Sequence, residues 1–145
     1  MKINLDGKVA LVCASTRGLG FACAMGILKA GGEVIITGRT FSGLEHAKLL
    51  LIDSAIKEGL NPCVHTVVVD LDDRLAFNRF LKELKNHPDV DILVINSGGP
   101  APGDFNSFCS VVEFEQKCNE ITFAASSLIK HVLPKMKEKS WGRII

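Results

Sequence analysis

Short runs of apolar, mostly β-branched residues alternate along this chain with longer stretches in which apolar residues recur every three or four positions. Residues 8–13 are the first such run and predict a strand. A turn of small residues, Ala14-Ser15-Thr16-Arg17-Gly18, leads into a helical pattern carried by Leu19, Ala22, Cys23, Gly26, Ile27 and Ala30, which Gly31-Gly32 stops. Residues 34–37 predict a second strand and 42–58 a second helix, with Leu44, Ala47, Lys48, Leu51, Ala55 and Ile56 on its apolar face. Lys48 is the exception there, and its stem can snorkel. Gly59 and Pro62 end that helix, and residues 64–70 predict the third strand. Asp72 is placed to cap a third helix that runs to about Asn86 with Leu75, Phe80, Leu81 and Leu84 inward, before Pro88 breaks it. Residues 92–96 predict a fourth strand, followed by a Gly/Pro-rich loop over 97–104. A long helical pattern covers 110–139, in which Pro134 is expected to cause a kink or end a segment. Residues 142–145 look like the start of a fifth strand, cut short.

Strands that are apolar at nearly every position are buried on both faces, which implies a parallel sheet with helices on either side. Right-handed crossovers then give an α/β, Rossmann-type doubly wound parallel sheet with an incomplete fifth strand. No repeat, low-complexity tract or linker interrupts the pattern, so residues 1–145 are expected to form one domain.

Composition adds mainly exclusions. The chain of 145 residues is 47% hydrophobic and 23% charged, enough to bury a core. A net charge of +1 with no basic stripe argues against a nucleic-acid or membrane-surface partner, and Lys135 to Lys139 reads as a solvated helix face. No apolar run is long enough for a membrane span, and the N-terminus lacks the apolar core of a signal peptide. Five cysteines without a C-x-x-C pair, the nearest two being Cys109 and Cys118, read as reduced, buried thiols in a cytoplasmic protein. His46, His65, His87 and His131 are scattered without metal-ligand spacing, so no metal is expected.

The chemistry lies in the turns. Gly18 and Gly20 fall where a strand meets a helix, and a phosphate approaching such a junction meets unpaired N–H groups and the positive end of the helix dipole. Glycine allows the close approach. No G-K-[ST] follows, which excludes a triphosphate P-loop. At the end of the second strand an acidic residue would hold the ribose diol of NAD, whereas an arginine suits a 2′-phosphate. The segment there is Thr37-Gly38-Arg39, and Arg17 lies in the first turn. Two arginines and no carboxylate favour NADP(H) over NAD(H).

The segment CASTRGLG, Cys13 to Gly20, resembles the T-G-x-x-x-G-x-G of the short-chain dehydrogenase/reductase family. Cys13 and Ala14 depart from it. Alanine at that place is tolerable if φ is negative and costs about 1 kcal/mol or more if it is positive. Asn96-Ser97-Gly98-Gly99 resembles the family's N-N-A-G, and Asp70-Leu71 its adenine-covering pair. The run Gly99-Pro100-Ala101-Pro102-Gly103 is similar to a branch described as 3-oxoacyl-carrier-protein-reductase-like. The resemblance implies that Ala14, Ser15, Thr16, Arg17, Gly18, Leu19, Gly20, Arg39, Asp70, Leu71, Asn96, Ser97 and Gly98 contact the cofactor. It implies hydride transfer between the nicotinamide and a small-molecule carbonyl or alcohol, with 3-oxoacyl thioesters as a candidate class, in a homodimer or homotetramer packed through the long helix.

The family's reaction also needs a Ser/Tyr/Lys trio beyond the fifth strand, and this chain contains no tyrosine. The place of a further family asparagine, counted from Leu133-Pro134, falls at Ile121; Asn119 lies two residues away, about 200° round a helix. No catalytic residue is therefore expected within these residues. The chain is expected to be the cofactor half of a longer enzyme and inactive alone, the alternative being a non-enzymatic dinucleotide-binding or scaffold protein.

Overall fold

The computed structural model describes residues 3–97 and 111–145. The strands are β1 (Val9–Val12), β2 (Glu33–Gly38), β3 (Val64–Val68), β4 (Ile92–Val94) and β5 (Arg143–Ile144). The helices between them are α1 (Gly18–Lys29), α2 (Phe41–Lys57), α3 (Arg74–Glu83), which continues into a 3₁₀ turn (Leu84–Asn86), and α4 (Val111–Glu138). All five strands run parallel in the order β3-β2-β1-β4-β5. That is the doubly wound α/β sheet the alternating pattern predicts.

Side-chain alternation along each strand feeds two separate cores. Ala10, Val12, Val34, Ile36, Ile92 and Val94 meet α1 and α2 on one face. Val9, Leu11, Cys13, Ile35, Val67 and Leu93 meet α3 and α4 on the other. Two cores explain why the strands carry almost no polar positions. Thr37 in β2 and Asp91 at the foot of β4 are buried exceptions, Asp91 being 3% exposed. Its carboxylate accepts from the Val9 N–H at 3.0 Å and from Lys139 Nζ at 3.0 Å, so it ties β1 and β4 to the end of α4.

Several local expectations are corrected. α1 buries Gly20, Ala24, Ile27 and Leu28, while Leu19 is 79% exposed, and Ala22, Cys23 and Gly26 also face outward. The helix is apolar on every side, so periodicity alone leaves its phase open; the close approach at Gly20 fixes it. In α2 the expected face holds except for Ile56, which is exposed. In α3 the cap is Asp73, not Asp72: its carboxylate accepts from Leu75 N at 2.8 Å and Ala76 N at 3.1 Å. Phe77 and Phe80 then point inward, and Leu75 points out. β3 stops at Val68 and β4 at Val94, each two residues before the predicted end, as the chain turns into loops above the sheet. α4 continues through Pro134, which sits on its exposed side. β5 is short but paired, with Arg143 N donating to Asp91 O and Ile145 N to Leu93 O.

Candidate functional site

The sheet order reverses at β1, whose neighbours are β2 on one side and β4 on the other. In such sheets a crevice opens outside the carboxyl ends of the strands at that switch point. Here it is a groove of about 470 Å³ lined by the turn after β1 (Ala14, Thr16, Arg17, Gly18), the end of β2 (Thr37, Gly38, Arg39), the segment after β3 (Val69 to Asp72) and Asn96-Ser97 after β4. Four turns far apart in sequence thus meet in one place.

The turn after β1 is held from below. Ser15 is fully buried: its hydroxyl donates to Val12 O at 2.7 Å and accepts from Thr37 N at 3.0 Å, and its N–H donates to Thr37 O at 2.9 Å. Thr37 Oγ1 accepts from Ala14 N at 3.0 Å. Asn96 Nδ2 donates to Ala14 O at 3.1 Å and Cys13 O at 3.3 Å, tying β4 to the same turn. Fixed in this way, the turn puts Ala14 at φ +45°, the left-handed conformation in which alanine is strained. Burial pushes the Cys13 thiol up to about 12, so it is no nucleophile, whereas Cys23, Cys63 and Cys118 are exposed, which corrects the expectation of buried thiols.

Above the turn, α1 starts without a side-chain cap, and Arg17 at its N-cap is extended. The first-turn N–H groups therefore face the groove mouth without an intrahelical acceptor. Gly18 has φ +60°, and a Cβ there would point into open space. Gly20 is different: a Cβ would come within 2.6 Å of Ala14 O and 2.9 Å of Asn96 Nδ2. Gly18 keeps the groove open, whereas Gly20 lets the helix pack onto the turn.

At the end of β2 a Cβ on Gly38 would lie 2.5 Å from Thr16 Cγ2. The place of an acidic side chain is already taken by the Thr16 methyl. Arg17 and Arg39 stand exposed on either side, and among the described residues neither has an ion-pair partner. The groove continues past them into a hollow bordered by Phe21, Thr40, Gly43, His46 and Leu50. On the other side, Asp70 Oδ1 accepts from Asp72 N at 3.1 Å, and Leu71 rests partly on the core beside it.

The structure brings together Ala14, Thr16, Arg17, Gly18, Arg39, Asp70, Leu71, Asn96 and Ser97. The other expected residues lie around the turn rather than on the groove lining: Ser15 is buried beneath it, Gly20 packs against the turn's backbone, and Leu19 is largely exposed. Gly98 lies outside the described residues. Thr37 was missed, although a lone polar residue at the end of the aliphatic run Val34 to Thr37 was a visible signal. At the opposite end of the sheet is a grouping that spacing along the chain did not reveal, since Glu33, Cys63 and His65 bring their donor atoms within 4.8 Å of one another. The expectation of isolated histidines is corrected there.

Residues 8–145 match the family described as short chain dehydrogenase. The chain belongs to the short-chain dehydrogenase family. It is 36% identical to a 3-oxoacyl-[acyl-carrier-protein] reductase of Aquifex aeolicus, covering all of this chain and 56% of that protein. It is 30% identical to a fatty acyl-CoA reductase of Acinetobacter baylyi, over 98% of this chain and 47% of that one. Among solved structures, L-sorbose reductase from Gluconobacter frateurii, complexed with NADPH and L-sorbose, superposes with a TM-score of 0.81 at 27% identity, covering 99% of this chain and 53% of that one. A 3-oxoacyl (acyl-carrier-protein) reductase from Agrobacterium tumefaciens with NADP bound gives 0.78 at 25% identity, covering 97% and 52%. The chain spans about half the length of the curated relatives it matches.

As a short-chain dehydrogenase the chain also places the asparagine question on α4. Ile121 and Asn119 are both exposed there, and Asn119 borders a hollow with Arg74, Val112, Glu115 and Gln116. Among the described residues no helix is long and apolar enough to cross a membrane.

Proposed function

We propose that the groove binds NADP(H) and that these residues form the cofactor-binding part, one domain over 1–145, of an oxidoreductase acting between a carbonyl and an alcohol. The observation that carries the reading is the end of β2: the acid's place is filled by Thr16, and Arg17 and Arg39 flank it unpaired among the described residues. Two related reductases whose structures hold NADPH or NADP support the same choice.

The groove fits such a cofactor. The uncapped start of α1 and the open space over Gly18 suit a pyrophosphate, whose charge the helix dipole stabilises. The backbone of Ala14, Thr16, Arg17, Gly18 and Leu19 would surround it, with Ser15 and Gly20 holding the turn in shape from behind. Arg39 and Arg17 would take the 2′-phosphate by charge-assisted hydrogen bonds. Asp70 and Leu71 would border the adenine, and Asn96 and Ser97 the ribose on the nicotinamide side. When bound, the cofactor supplies a hydride. This chain's own residues bind and orient; with no tyrosine, they hold no group for the family's proton transfer. Small carbonyl compounds, 3-oxoacyl thioesters among them, are the proposed substrates, by likeness to the reductases above. We place the protein in the cytoplasm as a homodimer or homotetramer, its described cysteines being free thiols.

The test is a paired titration of NADPH and NADH. One lost phosphate contact to a charged group is worth about 1.5–3 kcal/mol, so NADPH should bind roughly 10- to 150-fold tighter, and Arg39→Asp should erase most of that preference. Equal affinities, or tighter NADH, would refute the reading. In the same samples the 145-residue chain should oxidise no NADPH with ketones or acetoacetyl thioesters.

A further inference from the structure

We propose that Glu33, Cys63 and His65 form a binding site for a zinc-class divalent cation at the end of the sheet opposite the groove. Cys63 immediately precedes β3 and His65 is its second residue, so the period-two alternation of an extended chain puts both side chains on one face. Glu33 opens β2. The β2–β3 register pairs Val34 with Val64 and Ile35 with His65, and Val34 N donates to Cys63 O at 3.1 Å. The same parallel register therefore places Glu33 beside Cys63. Sheet pairing alone converges three side chains from positions thirty residues apart.

The spacing of the donor atoms fits a metal. Cys63 Sγ lies 3.4 Å from His65 Nε2, and His65 Nε2 lies 3.8 Å from Glu33 Oε2. Bonds of about 2.0–2.3 Å at a tetrahedral centre put neighbouring ligand atoms about 3.3–3.6 Å apart, so shifts of a few tenths of an ångström suffice. One sulfur, one nitrogen and one oxygen donor are the mixed, borderline set that zinc takes, and hard cations such as magnesium avoid sulfur. Three protein ligands leave one position open. The His87 ring stands edge-on to His65 with centroids 5.5 Å apart, so a second imidazole borders the cluster. The His65 and Glu33 side chains are 32% and 40% exposed, which gives an ion access. On binding, the Cys63 thiol gives its proton to solvent and the sulfur bonds the metal as thiolate. His65 and Asp70 are five residues apart along the chain, about 16 Å if extended, so the ion would not touch the groove.

The test uses cobalt(II) as a spectroscopic probe on metal-free protein, followed by zinc(II). One equivalent of cobalt should give the near-ultraviolet band of thiolate-to-cobalt charge transfer together with the intense visible bands of a four-coordinate ion, and zinc should remove both. Cys63→Ser should abolish the charge-transfer band. Glu33→Gln should weaken zinc binding by roughly 10-fold or more. Cys118→Ser, on the exposed face of α4, should change nothing. Circular dichroism of each variant checks that the fold is kept. Absence of the band in the wild-type protein, or its survival in folded Cys63→Ser, would overturn the proposal.

Discussion

Ala14 shows how one residue can carry a cost that its neighbours impose. Its N–H is held by Thr37 Oγ1 and its carbonyl by Asn96, which together fix φ at +45°. An L-residue there costs about 1–2 kcal/mol, and glycine gives back roughly 0.4–1 kcal/mol through its greater freedom when unfolded. Ala14→Gly should therefore stabilise the fold by about 0.5–1 kcal/mol, read as a rise in Tm of a few degrees. An unchanged or lower Tm would mean the strain is relieved elsewhere. The sequence suggested the position and the sign of the conflict but not φ, because φ depends on Thr37 and Asn96. Ser15 illustrates the same limit. Its place in the motif implied a ligand contact, but two hydrogen bonds to β2 and one to β1 claim its polar groups.

Elements were legible to the extent that their pattern had contrast. The central strands β1 and β4 stood out because burial on both faces leaves them uniformly apolar. α3 has a polar and an apolar side, and its existence was plain, though the cap lay one residue later than expected. α1 lacks a polar side, so its facing was not legible. The cluster of Glu33, Cys63 and His65 was invisible because it needs the β2–β3 register, which no local pattern encodes. α4 corrects a further expectation. The long helix is expected to join subunits, but its Leu128 and Val132 are 1% and 4% exposed, packed into the core of their own chain. Phe114 is 56% and Ile121 37% exposed, and Val111 and Val112 extend that apolar surface. If this surface joins two copies, Phe114→Glu with Ile121→Lys should shift the molecular mass by light scattering toward the monomer while circular dichroism stays the same. An unchanged mass for an associated wild-type protein would place the contact elsewhere.

For the whole molecule, the sheet acts as a single frame with two ends. One end gathers the four turns of the groove, and the other carries Asp91 and the Glu33 cluster. Stability of the frame should depend on acid. Burial first, and then the Lys85 cation, hold the His131 imidazole below its ordinary value. The unfolded chain thus takes up a proton before the folded one does. The contribution is fully present above about pH 6.5 and is lost as pH falls through that ordinary value toward the lower folded one. Denaturant midpoints should fall from pH 7 to pH 5, and His131→Gln should flatten that slope. A slope unaffected by the substitution would assign it to other groups.

The central claim is that the groove at the carboxyl ends of the strands is where the dinucleotide sits. It is tested most directly by adding NADPH to isotope-labelled protein and following every backbone amide by two-dimensional NMR. The account predicts the largest shifts at the turn after β1, above all at Gly18 and Leu19, with further shifts at Arg39, Asp70, Leu71 and Ser97. The amides around Glu33 and Cys63 should stay in place. Shifts centred away from the β1 turn, or no shifts at saturating NADPH, would contradict the account.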